Sequence, residues 1–392
     1  MLTKILQSIG DFYNYILIYL FYIYFHCRTR QLVSFVTVIP EADELIQAIY
    51  IDHPLVRYHT GLAVAENITN VTQTWISKDQ YQSGSYDGQY HNLGVTEVLN
   101  KHFDVSREDV QSDWDPLHKC GISDKRMRKK KNSKWVGDMT SHISESFKDH
   151  NYGKGYEELI EACESLEIDL KDPKFHSDTR FANSCHSVYK SFYNDLPAII
   201  LNYEKVITEH EEALDNKLGD KAQKASRMLK KLRNKHFILS LAGLVDIYST
   251  FSAIVCYVQK VNILPFQRYD VFQDYLKHFQ TMLDQIGDHS LCKHNNKEKC
   301  SWPNFHKDEK NILAGKFHGN LNITSEQAEN TRITRYFAKK QGDAEKVEVA
   351  VQKQLKRMLE DLLVELKEVF DAEDIKWIEA CRKVTDVSSF PH

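Results

Sequence analysis

The spacing of apolar residues divides this chain into two regions. From residue 30 to about 140, short β-branched runs alternate with stretches in which apolar residues recur every three or four positions. Residues 31–39 predict a buried strand, because they are rich in β-branched side chains and end at Pro40. This alternation predicts an α/β layer, in which helices pack on the faces of a sheet.

Three helices and a turn complete the prediction for the first region. Residues 41–50 predict a short helix, and residues 58–75 show helical spacing of apolar side chains. Residues 95–103 predict a helix capped by Gly94 or Thr96. A tight turn is predicted at residues 84–88, because Asp-Gly is a strong breaker.

Beyond residue 140 the chain is predicted to be helical. An apolar stripe ends near Gly219, and a second long amphipathic helix is predicted over residues 347–369. Residues 237–258 are apolar nearly all round, and their length would suit a membrane span. Asp246 near the centre of this run favours a helix buried inside a bundle instead.

A further apolar run occupies residues 12–25, near the start of the chain. It is shorter than the ~20 apolar residues that a membrane anchor needs. Residues 25–27 do not form a signal-peptide cleavage site. A core strand or an N-terminal extension over residues 1–30 is therefore favoured, and insertion into a membrane stays as an alternative.

Composition limits the classes of function. The formal net charge is −4, so any nucleic-acid-binding surface must be local. The eight cysteines form no CxxC pair, which predicts reduced thiols in an intracellular protein. The sequence shows no phosphate-binding glycine loop, Ser-His-Asp arrangement or other sign of a small-molecule substrate.

The sharpest charge feature is a basic run near residue 130. Such a run contacts nucleic-acid phosphates or serves as a nuclear localisation signal, and both are favoured slightly over a solvated loop. Its cationic residues are Lys125, Arg126, Arg128, Lys129, Lys130, Lys131 and Lys134.

A second cluster combines histidine and cysteine, the usual zinc ligands. Its spacing matches no standard zinc finger, so an ordinary polar loop is favoured over a zinc site. The candidate ligands are Cys292, His294, Cys300 and His306, with His289 close by.

Asp87 is the candidate for a metal-binding carboxylate. It follows a strand-like stretch in the Asp-Gly turn, a position at which a sheet can fix a divalent metal ligand. Asp113 and His118 add polar groups nearby, and Asp115 before Pro116 is read as a helix N-cap.

Taken in order, four sequence blocks resemble hAT-type transposases, in particular the domesticated, zinc-finger-associated proteins derived from them. The resemblance covers roughly residues 30 to 385, and its most specific part is the fourth block. The blocks read GSYDGQY at 84–90, WDPLH at 114–118, YGKGYE at 152–157 and SDTRFANS at 177–184, and the apolar residues 237–259 follow them.

The resemblance implies a ribonuclease H-like core interrupted by a large helical insertion domain. Asp87 would match the second catalytic aspartate, which ligates magnesium in active relatives. His118 would match the histidine of a Cys-x-x-His motif, with Asp115 in place of the cysteine. Arg180 and Phe181 belong to a block similar to the Thr-Arg-Trp motif, and that aromatic region lies close to DNA in active relatives.

The departures from the family predict a chain without catalytic activity. Two-metal phosphoryl transfer needs several carboxylates, and a first aspartate and a third glutamate have no counterpart here. The core is therefore expected to be truncated at both ends. The expected domains are residues 1–30, a partial ribonuclease H-like core at 31–140 and a helical insertion at 141–392, with a polar loop at 287–319.

The predicted function is an inactive, transposase-derived protein that binds DNA or proteins in the nucleus. An active magnesium-dependent transposase fragment and a membrane-anchored helical scaffold remain as alternatives. No cofactor is expected, apart from magnesium if the protein is active and zinc if the histidine and cysteine cluster binds it. Protein partners would contact the long amphipathic helices, and contact with a membrane is not favoured.

Overall fold

A computed structural model gives the backbone of most of the chain. Side chains of the strands and of some helix ends are not described. The described residues are 16–25, 28–38, 46–52, 58, 60–72, 81–86, 94–106, 111–114, 116–175, 181–213, 219–258, 260, 263, 265–288, 300–313, 347–370 and 372–385.

Five strands in the first 114 residues form one sheet with the order β3-β2-β1-β4-β5. The β1–β2 and β2–β3 pairs are antiparallel, whereas the β1–β4 and β4–β5 pairs are parallel. Leu20 on β1 is in register with Val33 on β2 and with Tyr86 on β4. The strands are β1 (Ile16–Phe25), β2 (Arg28–Val38), β3 (Ile46–Asp52), β4 (Tyr81–Tyr86) and β5 (Gln111–Trp114).

The described chain also contains twelve helices. Two of them lie between strands and ten follow the sheet. They are α1 (Gly61–Thr72), α2 (Val95–Phe103), α3 (Pro116–Lys129), α4 (Trp135–Asp149), α5 (Gly153–Ser165), α6 (Phe181–Ala213), α7 (Asp220–Leu232), α8 (Lys235–Val258), α9 (Pro265–Gln285), α10 (Pro303–Leu313), α11 (Val347–Lys367) and α12 (Ala372–Thr385).

The predicted fold class, a partial ribonuclease H-like sheet followed by a helical domain, is wrong for the residues whose side chains are described. The five strands are known from their backbone alone and do not belong to that part. That part is 83% helical and contains no strand. Every buried apolar residue of the described core lies in a helix or beside one. The ribonuclease H-like expectation, helices covering a mixed sheet, is therefore corrected to a core made by helices packing on helices. The reason is that apolar side chains recur every three or four residues through most of the chain, a period that buries them between helices.

Among the individual elements predicted from the sequence, one helix is wrong and two helices are confirmed. The helix predicted over residues 41–50 is wrong, because Ile46–Asp52 is a strand paired with β2. Its run of Ile, Tyr and Ile favours a strand over a helix. The helices predicted at residues 95–103 and 347–369 are confirmed as α2 and α11. Gly94 precedes α2 with a φ of 68°, a conformation that favours glycine.

The chain forms two compact units. One contains residues 1–122, 256–273 and 368–392, and the other contains residues 123–255 and 274–367. We call the second the helical unit. The domain boundaries expected near residues 30 and 140 stay a sequence-based prediction.

Helix α8 is the most apolar of the described helices. Of the described helices, it is the one that is long and apolar enough to cross a membrane. In the structure 83% of its most apolar window is buried by the rest of the protein. A core helix of a bundle has the same length and composition, so this finding is weak support for a membrane span.

The glycine block at 153–155 has a structural explanation. A Cβ atom added to Gly155 would lie 2.0 Å from the backbone carbonyl oxygen of Asp149, at the turn between α4 and α5. We expect Gly155→Ala to destabilise the protein by about 1–3 kcal/mol, because the backbone must shift to relieve the overlap. Chemical denaturation measures this change.

Gly137 in α4 is the matched control for this substitution. A Cβ atom at Gly137 would meet nothing within 4 Å. Gly137→Ala is therefore expected to leave stability unchanged or to raise it by about 0.5–1 kcal/mol, since alanine favours a helix. Equal stability of the two variants would contradict the close approach at Gly155.

Candidate functional site

The predicted basic run lies at the end of α3 and in the turn that follows it, not in an extended loop. Lys125, Arg126 and Lys129 belong to α3, and Lys131 and Lys134 lie in or next to the turn before α4. All five are exposed. Positive charges near a helix C-terminus are stabilised by the negative end of its dipole.

Two cations of the run are directed towards α11. The ammonium group of Lys130 lies 2.8 Å from a carboxylate oxygen of Glu365 and donates to the carbonyl oxygen of Asp361 at 3.4 Å. Arg126 approaches the same glutamate more loosely, at 4.0 Å, with 62% of its side chain exposed. For Lys125, Lys129, Lys131 and Lys134, no described carboxylate lies within ion-pair distance. We call the five exposed residues Lys125, Arg126, Lys129, Lys131 and Lys134 the α3–α4 basic surface.

Arg128, also predicted to contact nucleic acid, is directed into the helical unit instead. Only 13% of its side chain is exposed. Its Nε lies 2.9 Å from Asp124 Oδ2, one turn earlier on α3. Its terminal nitrogens donate to Tyr248 Oη at 2.8 Å, to Cys185 Sγ at 3.0 Å and to Thr140 Oγ1 at 3.3 Å. Four helices, α3, α4, α6 and α8, thus meet around one guanidinium group.

The hydroxyl groups around Arg128 have defined donor roles. Thr140 donates to the carbonyl oxygen of Val136 at 2.7 Å, so Tyr189 must donate to Thr140 Oγ1, which lies 2.7 Å away. Tyr248 donates to Asp124. The rings of Tyr189 and Tyr248 pack edge to face with centroids 5.1 Å apart. The network is therefore a polar core in which the hydroxyl groups are hydrogen-bonded, while Arg128 Nε contacts Asp124 as an ion pair without hydrogen-bond geometry.

The charge on Arg128 is maintained by its neighbours. Burial by itself lowers the pKa of Arg128, but surrounding groups raise it well above its usual value. At neutral pH the compensating charge comes from Asp124, because both tyrosines are then neutral. Burial also raises the pKa of Cys185 to about 12, which keeps that thiol protonated. Arg128 consequently has a structural role and is not offered to a ligand.

A basic helix that the sequence did not single out lies elsewhere in the helical unit. Helix α7 carries apolar residues on one side, where Ala222, Ala225, Met228 and Leu232 are buried. Successive residues of a helix are rotated by 100° around its axis. The side chains of Lys224, Arg227, Lys230 and Lys231 therefore lie within an arc of about 120° on the other side of α7. Lys224 contacts Asp149 at the end of α4.

The other cations of α7 are exposed. Lys221, Arg227, Lys230 and Lys231 are solvent-exposed, and no described carboxylate lies within ion-pair distance of them. Lys231 also lowers the pKa of His142 on α4, after the larger effect of burial. We call these four residues the α7 basic face. The signal that could have found it is a basic residue every three or four positions, although apolar residues interrupt that pattern in the sequence.

The helical unit also contains a polar cavity of about 440 Å³ between α6, α8, α9 and α10. Its lining includes His186, Lys190, Tyr193, Asn194, Val245, Asp246, Ser249, Thr250, His278, Cys300, Ser301, Pro303, Asn304 and Lys307.

Asp246 lies at this cavity and caps α10. Its carboxylate accepts from the backbone N–H groups of Asn304 at 3.1 Å and Phe305 at 2.9 Å, and from the amide of Asn304 at 2.6 Å. These are the donors that an N-cap side chain usually satisfies. Trp302, the residue before α10, cannot do so, because an indole has no acceptor; its N–H donates to the carbonyl oxygen of Met282 at 2.8 Å. Burial raises the pKa of Asp246 to about 7 despite these donors.

Several residues predicted to form sites are not brought together in the described part of the chain. Asp87, Asp115 and Arg180 lie outside the described residues. Phe181 is the first residue of α6, and its side chain is not described. His118 is half-buried in the first turn of α3. The proposed magnesium ligand and the DNA-contacting pair therefore stay predictions.

The structure describes two of the candidate zinc ligands, whereas Cys292 and His294 lie outside the described residues. Cys300 is disulfide-bonded. His306 is buried, and its ring nitrogens lie 3.1 Å from the carbonyl oxygen of Ile286 and 3.5 Å from Cys300 Sγ. The described part of the chain contains no group of three or more metal-ligating side chains. A sulfur held in a disulfide is not a zinc thiolate, so Cys300 as placed does not fit the predicted role.

The expectation that all cysteines are reduced thiols is also corrected by Cys300. Cys120, Cys163, Cys185 and Cys256 are free, as predicted. Cys300 lies three residues before the start of α10, and the spacing of cysteines in the sequence did not predict its disulfide.

No protein-family model matches this chain, and no curated protein matches it significantly.

Proposed function

We propose that this chain is a catalytically inactive, transposase-derived protein of the nucleus, and that its helical unit binds DNA through the phosphate backbone. The origin is supported by the four sequence blocks that resemble hAT-type transposases. Lack of activity is supported by the sequence, in which Asp87 is the one good candidate for a catalytic acid. Binding is supported by the cationic surfaces of the helical unit.

The observation that carries the proposal is the α7 basic face. It gathers four exposed cations on a single helix, three of which (Arg227, Lys230 and Lys231) fall within an arc of about 100° opposite the apolar side, on a chain whose formal net charge is −4. Positive charge collected locally on an otherwise acidic protein attracts a polyanion to one place. Lysine and arginine at a surface contact phosphates without reading the bases, so binding is expected to be independent of DNA sequence.

The α3–α4 basic surface is the second contact. It keeps the five exposed cations of the predicted run and excludes Arg128, which is held by Asp124, and Lys130, which pairs with Glu365. These two residues are occupied by partners inside the protein. The predicted run therefore contributes to binding through fewer residues than its sequence indicates.

Neutralising the α7 basic face is expected to weaken DNA binding and its dependence on salt. In the variant Lys221→Gln, Arg227→Gln, Lys230→Gln, Lys231→Gln, each lost phosphate contact should reduce the slope of log K against log salt by roughly 0.9. Fluorescence anisotropy with a short duplex, measured at several salt concentrations, gives both quantities. Tighter binding of a single-stranded RNA of equal length would assign the surface to RNA instead.

The matched control removes the same number of charges from other exposed positions of the helical unit. It is Lys310→Gln, Lys356→Gln, Arg357→Gln, Lys367→Gln, on α10 and α11. These cations are exposed, as are those of the α7 basic face. If the control variant loses as much affinity as the α7 variant, net charge and not the α7 basic face is responsible, and the proposal fails.

A further inference from the structure

We propose that the cavity between α6, α8, α9 and α10 binds a small phosphomonoester, whose phosphate is held by Lys190 and Lys307. This inference does not depend on the proposed binding of DNA, because it concerns other residues and a different ligand. The sequence showed no sign of a small-molecule substrate.

The size and composition of the cavity fit such a ligand. Its volume of about 440 Å³ lies in the usual range for small-molecule sites. Four helices contribute to the lining, and most of the lining residues carry polar groups. Polar groups that converge from separate elements are typical of binding sites for polar ligands.

The charges at the cavity favour an anion. Lys190 on α6 and Lys307 on α10 are both exposed, and no described carboxylate lies within ion-pair distance of either. Asp246 is the single acidic residue in the lining. Its oxygens accept from the amide donors at the start of α10 and form no ion pair with either lysine, so the lining carries two positive charges against at most one negative charge. Lysine acts as a point charge towards phosphate groups.

One of the two histidines in the lining senses the positive charge of a lysine. The pKa of His186 is lowered first by burial and then by the nearby charge of Lys190. The pKa of His278 is lowered by burial. No carboxylate opposes these effects at either ring. A phosphate dianion bound beside Lys190 would reverse the electrostatic effect on His186 and favour its protonated, donating form.

The rest of the lining suits the hydroxyl groups of a sugar. Ser249 and Thr250 on α8 provide hydroxyl groups, and Asn304 on α10 provides an amide oxygen, because its amide nitrogen already donates to Asp246. A bare phosphate ion would leave most of these groups without a ligand contact. The cavity therefore favours a phosphate that is attached to a hydroxylated molecule over the ion alone.

The test is titration of the full chain with ribose 5-phosphate, followed by calorimetry and by NMR of the histidine rings. We expect saturable binding, a shift of the His186 ring signals and a rise in the His186 pKa. The variant Lys190→Gln, Lys307→Gln should bind at least about tenfold more weakly. Both lysines are exposed, so this variant is expected to fold, which its thermal unfolding verifies.

The control variant is Lys277→Gln, Lys310→Gln. It removes the same charge from exposed positions on α9 and α10 that do not line the cavity. It should bind ribose 5-phosphate as the wild-type chain does. Equal weakening in both variants would overturn the assignment of Lys190 and Lys307.

Two further ligands decide the chemical class. Ribose should not bind, and inorganic phosphate should bind more weakly than ribose 5-phosphate. Equal binding of the sugar phosphate and inorganic phosphate, or no His186 shift at about 10 mM ligand, overturns the proposal. Tighter binding of an oligonucleotide with a 5′-phosphate than of ribose 5-phosphate would support the same chemistry and assign its source to a strand end.

Discussion

Replacing Arg128 by methionine is expected to destabilise the helical unit by about 3–5 kcal/mol, because Asp124 would remain buried without its cationic partner. Asp124 is 4% exposed and accepts from Tyr248, so water cannot replace the guanidinium group. Thr140 and Cys185 would also lose a donor. Urea unfolding of the full chain measures the change.

The size of this effect depends on the buried charge and not on the loss of positive charge itself. Lys129→Gln, one residue further on, removes an exposed charge and should change stability by less than about 0.5 kcal/mol. The double variant Arg128→Met, Asp124→Leu removes both charges and should recover part of the loss. A loss below about 1 kcal/mol in the single variant would contradict the network. Reduced DNA binding by any Arg128 variant would reflect unfolding.

Asp246 is expected to make the helical unit less stable as the pH rises from about 4 to 7. Its pKa is about 7 in the folded protein, against about 3.9 in an unfolded chain. Between these values the folded state binds a proton that the unfolded state does not, so stability falls with rising pH. The full difference of about three pKa units corresponds to about 4 kcal/mol.

The groups around Asp246 determine how far its pKa is raised. Burial is the largest cause, and the charge of Asp308 on α10 adds to it, whereas the donors from Asn304 and Phe305 lower the pKa. On the α6 side, Tyr193 lies close enough for Asp246 to raise its pKa, after burial and Asp308. Asp246 is therefore a carboxyl group held in a site that disfavours its charge.

The measurement compares the wild-type chain with Asp246→Asn over the range from pH 4 to 8. The comparison is needed because other groups also titrate. Burial raises the pKa of Asp195 to about 6, which acts in the same direction as Asp246. Burial lowers the pKa values of His150 and His236, and this reduces stability at acidic pH. The wild-type stability minus that of the variant should decrease as the pH rises. Parallel pH profiles would show that Asp246 is not the titrating group.

Two motifs of the sequence have a structural explanation in the helical unit. In the block at 152–157, Gly155 is required by the approach of the Asp149 carbonyl oxygen, a packing role that needs no ligand. In the basic run, the charges separate into two groups because α3 presents a new side chain every 100°. Position 128 therefore faces inward while positions 125 and 129 face the solvent. Basic residues that are neighbours in the sequence therefore have two different roles, one inside the protein and one at its surface.

Helix periodicity in the sequence determined much of the local structure. The apolar spacing of α2 and α11 predicted their positions, because a buried stripe requires apolar side chains every three or four residues. The continuous apolar run at residues 237–258 predicted α8. Asp246 in the middle of an apolar helix favoured a buried bundle helix over a membrane span, although its partners at the start of α10 were not visible. The strand at residues 46–52 was missed, because pairing with β2 decides between helix and strand in a short apolar run.

The tertiary structure alone decided which polar residues are buried and which face the solvent. Arg128 and Lys129 are neighbours in the sequence, yet one is held by residues from four helices and the other is exposed. Lys190 and Lys307 are far apart in the sequence and line one cavity. The sequence specifies the period and chemistry of each helix. The electrostatic environment of a side chain depends on groups from distant segments, and only packing brings those groups together.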